Sequence, residues 1–94
     1  MTLTKRYLVN RIAAETGLNQ RDIYLVVQKT LDYIIESLAR GENVEFRNFG
    51  VFEVQHRRAR LGRNPRKPDQ VVRIPPRKTV KFKPGKVMKQ FIGD

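Results

Sequence analysis

The chain has no cysteine and a single histidine, His56. A disulfide framework, a thiol nucleophile and a cysteine-based zinc site are therefore excluded. A Ser-His-Asp triad could form only around His56, whose nearest acid in sequence is Glu53. There is no glycine-rich phosphate loop and no cluster of metal ligands. Catalytic residues, metal ligands, a cofactor and a small-molecule substrate are all expected to be absent. Long apolar runs are missing as well. Nothing near the N-terminus has the apolar core of a signal peptide, and no stretch approaches the roughly 18 apolar residues of a membrane span. The expectation is a soluble intracellular protein.

The most uneven shortage is that of acids. Over 94 residues, 20 Lys and Arg stand against nine Asp and Glu, a formal charge of +11. Residues 1–50 hold seven basic and six acidic side chains, a net of +1, whereas residues 51–94 hold thirteen and three, a net of +10. Within 57–78 there are nine basic residues and one acid, Asp69. Such a field draws polyanions and speeds encounter with them, nucleic acid foremost. A membrane surface would want an amphipathic basic helix. Pro65, Pro68, Pro75 and Pro76 rule out one long helix there, so no membrane partner is expected.

The chain is short enough for one domain only. Thr4 is a plausible N-cap for a helix carrying Leu8, Val9, Ile12 and Ala13, and Gly17 can end it. Asn19 can cap a second helix, with Asp22 reaching back in a variant of the capping box and Leu18 stapled to Ile23. That helix is expected to run to Arg40 on the spacing of Ile23, Val27, Leu31, Ile34 and Leu38, with Gly41 closing it. The period then falls from 3.6 to 2. Val44 and Phe46 alternate with Glu45 and Arg47, and Arg47–Gly50 turns into a strand over Val51–Val54. Strand character returns at Val71, Val72 and Ile74, is interrupted by Pro75-Pro76, and resumes over Thr79–Phe82. Pro84 suits the first turn of a short helix with Val87, Met88, Phe91 and Ile92.

Residues 55–74 are too polar on both faces to be buried. They read either as a disordered basic loop or as a long two-stranded ribbon with a turn rich in Gly, Asn and Pro. A chain that spends about twenty residues this way keeps only about seventy for a core, near the size at which a lone core is marginal. Phe46, Phe49, Phe52 and Phe82 are also more aromatic surface than one helical hairpin covers, which predicts a dimer.

The stretch Phe49-Gly50-Val51-Phe52, then Arg57, Arg60 and Gly62-Arg63-Asn64-Pro65, then Phe82-Lys83-Pro84-Gly85-Lys86 resembles the HU and integration host factor family of small bacterial DNA-bending proteins. The resemblance spans nearly the whole chain. It implies an α+β fold: a helical hairpin, an antiparallel sheet with a long β-ribbon arm, a short C-terminal helix, and two such chains intertwined. A single domain over 1–94 is expected, with its body at 1–54 and 75–94 and its arm at 55–74. The implied partner is double-stranded DNA, gripped in the minor groove and kinked by a proline wedge at each arm tip. Carried over by position, Pro65 is the wedge and Asn64 shapes the tip. Arg57, Arg58, Arg60, Arg63, Arg66, Lys67, Arg73 and Arg77 are arm contacts. Arg47, Lys78, Lys81, Lys83 and Lys86 are body contacts to phosphate. The family also implies a nucleoid location in the cytoplasm, and a partner chain that is a second copy or a related sequence.

This chain departs from the family at the tip. Where an Asn-Pro is usually followed by Thr-Gly, Pro65-Arg66-Lys67-Pro68-Asp69 reads one residue longer, and Pro68 cannot donate to a ladder. Val44-Glu45-Phe46-Arg47 resembles the pattern in the beta chain of integration host factor, where such residues help read the site. The alternative there is a solvated strand face with a cross-strand ion pair. The rival function is a basic RNA-binding or ribosome-associated protein. Against it, Tyr7, Tyr24 and Tyr33 fall on the predicted helices, away from the basic arm.

Overall fold

The computed structural model describes residues 1–93, apart from the side chains of Asn64 and Pro68. The expected role of Asn64 in shaping the arm tip thus falls on a side chain outside the described residues. The fold is α+β, and the chain divides into two compact units, Met1–Ser37 and the remainder from Leu38 onward.

The first unit is the helical hairpin, α1 over Lys5–Thr16 and most of α2, which spans Gln20–Ala39. Thr4 is extended, and its hydroxyl accepts from the N–H of Tyr7 at 3.2 Å, satisfying a donor left orphaned by the helix start. Gly17 ends α1 at φ 74°, a left-handed conformation that needs its missing Cβ, and its N–H reaches the carbonyl of Ala13. Asn19 opens α2 by accepting from the N–H of Arg21 at 2.8 Å. Between the helices, Val9 and Ile23 are the only buried hydrophobic side chains among the described residues, at 5% and 7% exposure. Lys5 lies over the Tyr24 ring, 4.8 Å from its centroid, and donates to Gln28 Oε1.

In the second unit, α2 stops at Ala39, one residue short of Arg40, and Gly41 follows at φ 85° with its N–H on the carbonyl of Leu38. Three strands then form an antiparallel sheet in the order β1-β2-β5: Val44–Phe46, Gly50–Arg57 and Arg77–Pro84. The register pairs Val44 with Phe52, Phe52 with Phe82 and Val54 with Val80, so these side chains share one face, while Glu45, Val51, Glu53, Lys81 and Lys83 share the other. Phe82 lies 4.9 Å from Phe52 and 5.7 Å from Phe49 between ring centroids. Gly50 is enclosed beneath them. A Cβ there would stand 2.5 Å from the ring of Phe82 and 2.7 Å from the carbonyl of Lys83, so only glycine fits.

Several boundaries differ from the sequence expectation. β2 and β5 stay paired as far as Arg57 and Arg77, so the sheet extends into the stretch expected to be arm. Pro84 ends β5 rather than opening the last helix. Gly85 is extended, at φ −81° and ψ 176°, and commits its N–H to the carbonyl of Phe49, so α3 begins only at Lys86 and runs to Ile92.

Candidate nucleic-acid interface

The basic stretch forms a separate two-stranded antiparallel sheet, β3 over Arg60–Asn64 and β4 over Lys67–Ile74. At its tip Asn64 pairs with Lys67, so Pro65 and Arg66 alone make the connection. A proline at the first loop position fixes φ near −65° and excludes the left-handed turns that match strand twist. The register gives way at once. Asn64 faces Lys67, but Arg63 already faces Val71, which leaves Pro68, Asp69 and Gln70 of β4 without partners on β3. The long tip is thus absorbed as a bulge in one strand, where a proline lacking an N–H removes no ladder bond.

Below the tip, cross-strand partners share a face. Leu61 with Arg73 and Arg63 with Val71 make one face, and Arg60 with Ile74 and Gly62 with Val72 make the other. On the first, two guanidiniums alternate with apolar side chains that stand open to solvent, Leu61 at 74% and Val71 at 58% exposure. Ile74 lies across Gly62 on the second, 3.0 Å from where a Cβ would be. Lys67 and Arg66 at the tip are exposed.

At the root both strands lose their partners at the same level. The last pair of β2 and β5 is Arg57 with Arg77, and the first pair of the ribbon is Arg60 with Ile74. Arg58 and Ala59 on one side and Pro75 and Pro76 on the other lie outside either ladder. The structure brings Arg57, Arg58, Arg60 and Arg77 together around one cleft there, with Ala59, Ile74 and Pro75. The two prolines, Pro75 and Pro76, are what separates ribbon from sheet, since proline offers no N–H to continue the ladder.

The expected body contacts are less uniform. Lys83 pairs with Glu53 at 3.0 Å, and Lys81 is the direct cross-strand partner of Glu53. Lys78 donates to the carbonyl of Ala39 at 2.9 Å, placing a cation at the C-terminal end of α2. Neither tie was anticipated. The lysines are evident in the sequence, but their partners depend on strand register and on where α2 stops. Arg47 and Lys86 are exposed. Glu45 stands directly opposite Val51 of β2, so the strand face has no charged partner for it across the ladder. His56 is exposed and sits opposite Lys78. Among the described residues no helix is long and apolar enough to cross a membrane, and no group of three or more His, Asp or Glu is placed to hold a metal.

The model of a family described as bacterial DNA-binding protein matches residues 3–93. The chain is 44% identical over 92 residues to DNA-binding protein HU of Thermotoga maritima, covering 96% of this chain and 99% of that one. It is 40% identical over 93 residues to the beta subunit of integration host factor from Marinobacter nauticus, covering 98% and 94%. Among solved structures it resembles Anabaena HU in a cocrystal with DNA, with a TM-score of 0.80, 30% identity and coverage of 96% and 97%.

Proposed function

The chain belongs to the family of bacterial DNA-binding proteins that includes HU and integration host factor, and from that premise we propose how it acts on DNA. It is not an enzyme. It binds duplex DNA in the minor groove through two β-ribbon arms, one from each chain of a dimer, and bends the duplex by wedging Pro65 between base pairs. The arms grip with little or modest sequence preference, in the cytoplasm at the nucleoid.

The observation that carries this reading is the tip. Pro65 and Arg66 alone close a ribbon that exposes five cations against the single acid Asp69, and a ring with no N–H enters a base step without stranding a donor. Unstacking a step costs about a few kcal/mol, offset by the extra cationic surface that the bent duplex wraps. Arg57, Arg58, Arg60, Arg63, Arg66, Lys67, Arg73 and Arg77 supply that surface along the arm. Arg47, Lys81 and Lys86 extend it onto the body, joined by Lys83 and Lys78 once they release their present partners.

The test compares Pro65→Ala with the unaltered protein on a duplex carrying a dye at each end. Energy transfer should report a smaller bend at saturation, while non-specific affinity changes much less. An unchanged bend removes the wedge. The same titration with competing RNA addresses the rival function, because preference for RNA over duplex would displace the DNA reading.

A further inference from the structure

We propose that Asp69 is a specificity-determining residue of the arm. Its carboxylate accepts from the amino group of guanine in the minor groove, so that the chain favours a G·C pair beside the wedged step. The inference rests on the DNA-bending reading above and adds to it a chemical basis for sequence preference.

Asp69 is the only acid between residues 57 and 78, against nine Lys and Arg. In a segment that meets phosphates, a carboxylate lowers affinity on any sequence, because like charges repel. Its place in the strand sets it apart further. Arg63 pairs with Val71 and Asn64 with Lys67, so Pro68, Asp69 and Gln70 lie between two adjacent rungs with no partner on β3. A bulge of this kind frees its residues from the ladder and re-aims a side chain. Asp69 is exposed, and the rungs that flank it are the two nearest to Pro65. A strand rises about 3.3 Å per residue and a duplex about 3.4 Å per base pair, so the carboxylate reaches about one or two pairs from the step that the proline enters.

The chemistry of the groove floor decides what the carboxylate can do there. An A·T pair presents only acceptors, adenine N3 and thymine O2, whereas a G·C pair adds the guanine N2 amino donor. An ionised carboxylate can only accept. It is repelled by an A·T floor, and by the stronger negative potential of a narrow A-tract groove, and it finds a hydrogen bond at G·C alone. The arginines of the ribbon have the opposite bias, since they donate to acceptors and are drawn to the narrow groove. The cationic arm thus leans toward A·T, and one carboxylate at the bulge reverses that leaning beside the wedge. Kinking toward the major groove opens the minor groove at this point and gives the carboxylate room. Asp69 acts mainly against the wrong pair, which is how a group that weakens binding everywhere can still confer specificity.

The test uses the full-length protein and three short duplexes, each nicked once at its centre, where a kink costs least because one backbone is broken. The pairs on both sides of the nick are G·C, A·T or inosine·C. Inosine keeps the major-groove face of guanine and lacks only the N2 amino group. Fluorescence anisotropy at one fixed salt concentration should show the unaltered protein binding the G·C duplex about tenfold more tightly than either of the others. For Asp69→Asn, whose amide both donates and accepts, the three affinities should converge to within about twofold. Equal affinity of the unaltered protein for the G·C and inosine·C duplexes would overturn the proposal, and that comparison needs no variant. A gain in affinity by one common factor on all three duplexes for Asp69→Asn would overturn it too, leaving the carboxylate as plain repulsion. Failure of the DNA-bending reading would appear separately. With a dye at each duplex end, energy transfer would then report no bend beyond that of the free nicked duplex, whereas a bent duplex without discrimination removes the readout by Asp69 alone.

Discussion

A cation counts toward DNA binding only to the extent that it is free to leave its present partner. Lys83 is held by Glu53 at 3.0 Å, and both side chains are partly exposed, which places the pair in the class contributing about 0.2–1 kcal/mol to stability. A phosphate arriving at Lys83 must displace that carboxylate and then lie beside it. Glu53→Gln removes both penalties. The variant should bind duplex about fivefold more tightly per chain at low salt, with a slope of log affinity against log salt steeper by up to about 0.9 per chain, since one more cation exchanges counterions for phosphate. Filter binding across a salt series measures both. An unchanged affinity and slope would mean that Lys83 never meets the duplex. The sequence showed Lys83 and Glu53 but not their pairing. They stand thirty positions apart, and only the register of β2 on β5, itself fixed by Gly50 against Pro84, brings them within reach.

The elements were legible where a local rule decides them and obscure where pairing does. Thr4, Gly17 and Gly41 act within a few residues of themselves, and each stands where the sequence pattern puts it. Strand ends do not obey such rules. β2 runs on to Arg57 and β5 starts at Arg77 because each supplies the partner of the other, a reciprocity that a polar sequence hides. The bulge at Pro68–Gln70 is similarly a property of two strands and not of one. The ribbon has only its own ladder to hold it, and an isolated two-stranded sheet is marginal in water. Its amides over residues 60–64 and 71–74 should therefore exchange with solvent far faster in the free protein than those of Phe52–Gln55 in β2. Bound to duplex they should slow, by at least about tenfold, because the groove then covers and orders both strands. Hydrogen exchange followed residue by residue checks this. Ribbon amides as well protected in the free protein as those of β2 would show a rigid arm that needs no partner.

At the scale of the whole molecule, the fold leaves too much apolar surface uncovered for a chain that works alone. Val9 and Ile23 are the buried hydrophobic residues among those described, and fully burying two such side chains contributes about 3–6 kcal/mol, far less than the entropy of ordering a chain this long. Meanwhile Tyr24, Leu25, Val26, Leu31, Tyr33 and Ile35 of α2 are exposed, Tyr33 at 61% and Ile35 at 66%, as are Phe46, Phe49 and Phe82 of the sheet unit. On a helix of 3.6 residues per turn, the apolar positions of α2 spread well beyond the single stripe that α1 can cover. This surface is what the proposed dimer would bury, by a second copy or a related chain. Folding and association are then one step, and stability becomes a function of concentration. Each tenfold dilution should lower the free energy of the folded dimer by about 1.4 kcal/mol and its melting temperature by a few degrees. Calorimetry over two decades of protein concentration, with sedimentation at each point, gives the measurement. A melting temperature independent of concentration, together with a sedimenting monomer, would mean that the α2 face stays exposed in solution, and the two-armed grip on DNA would lose its second arm.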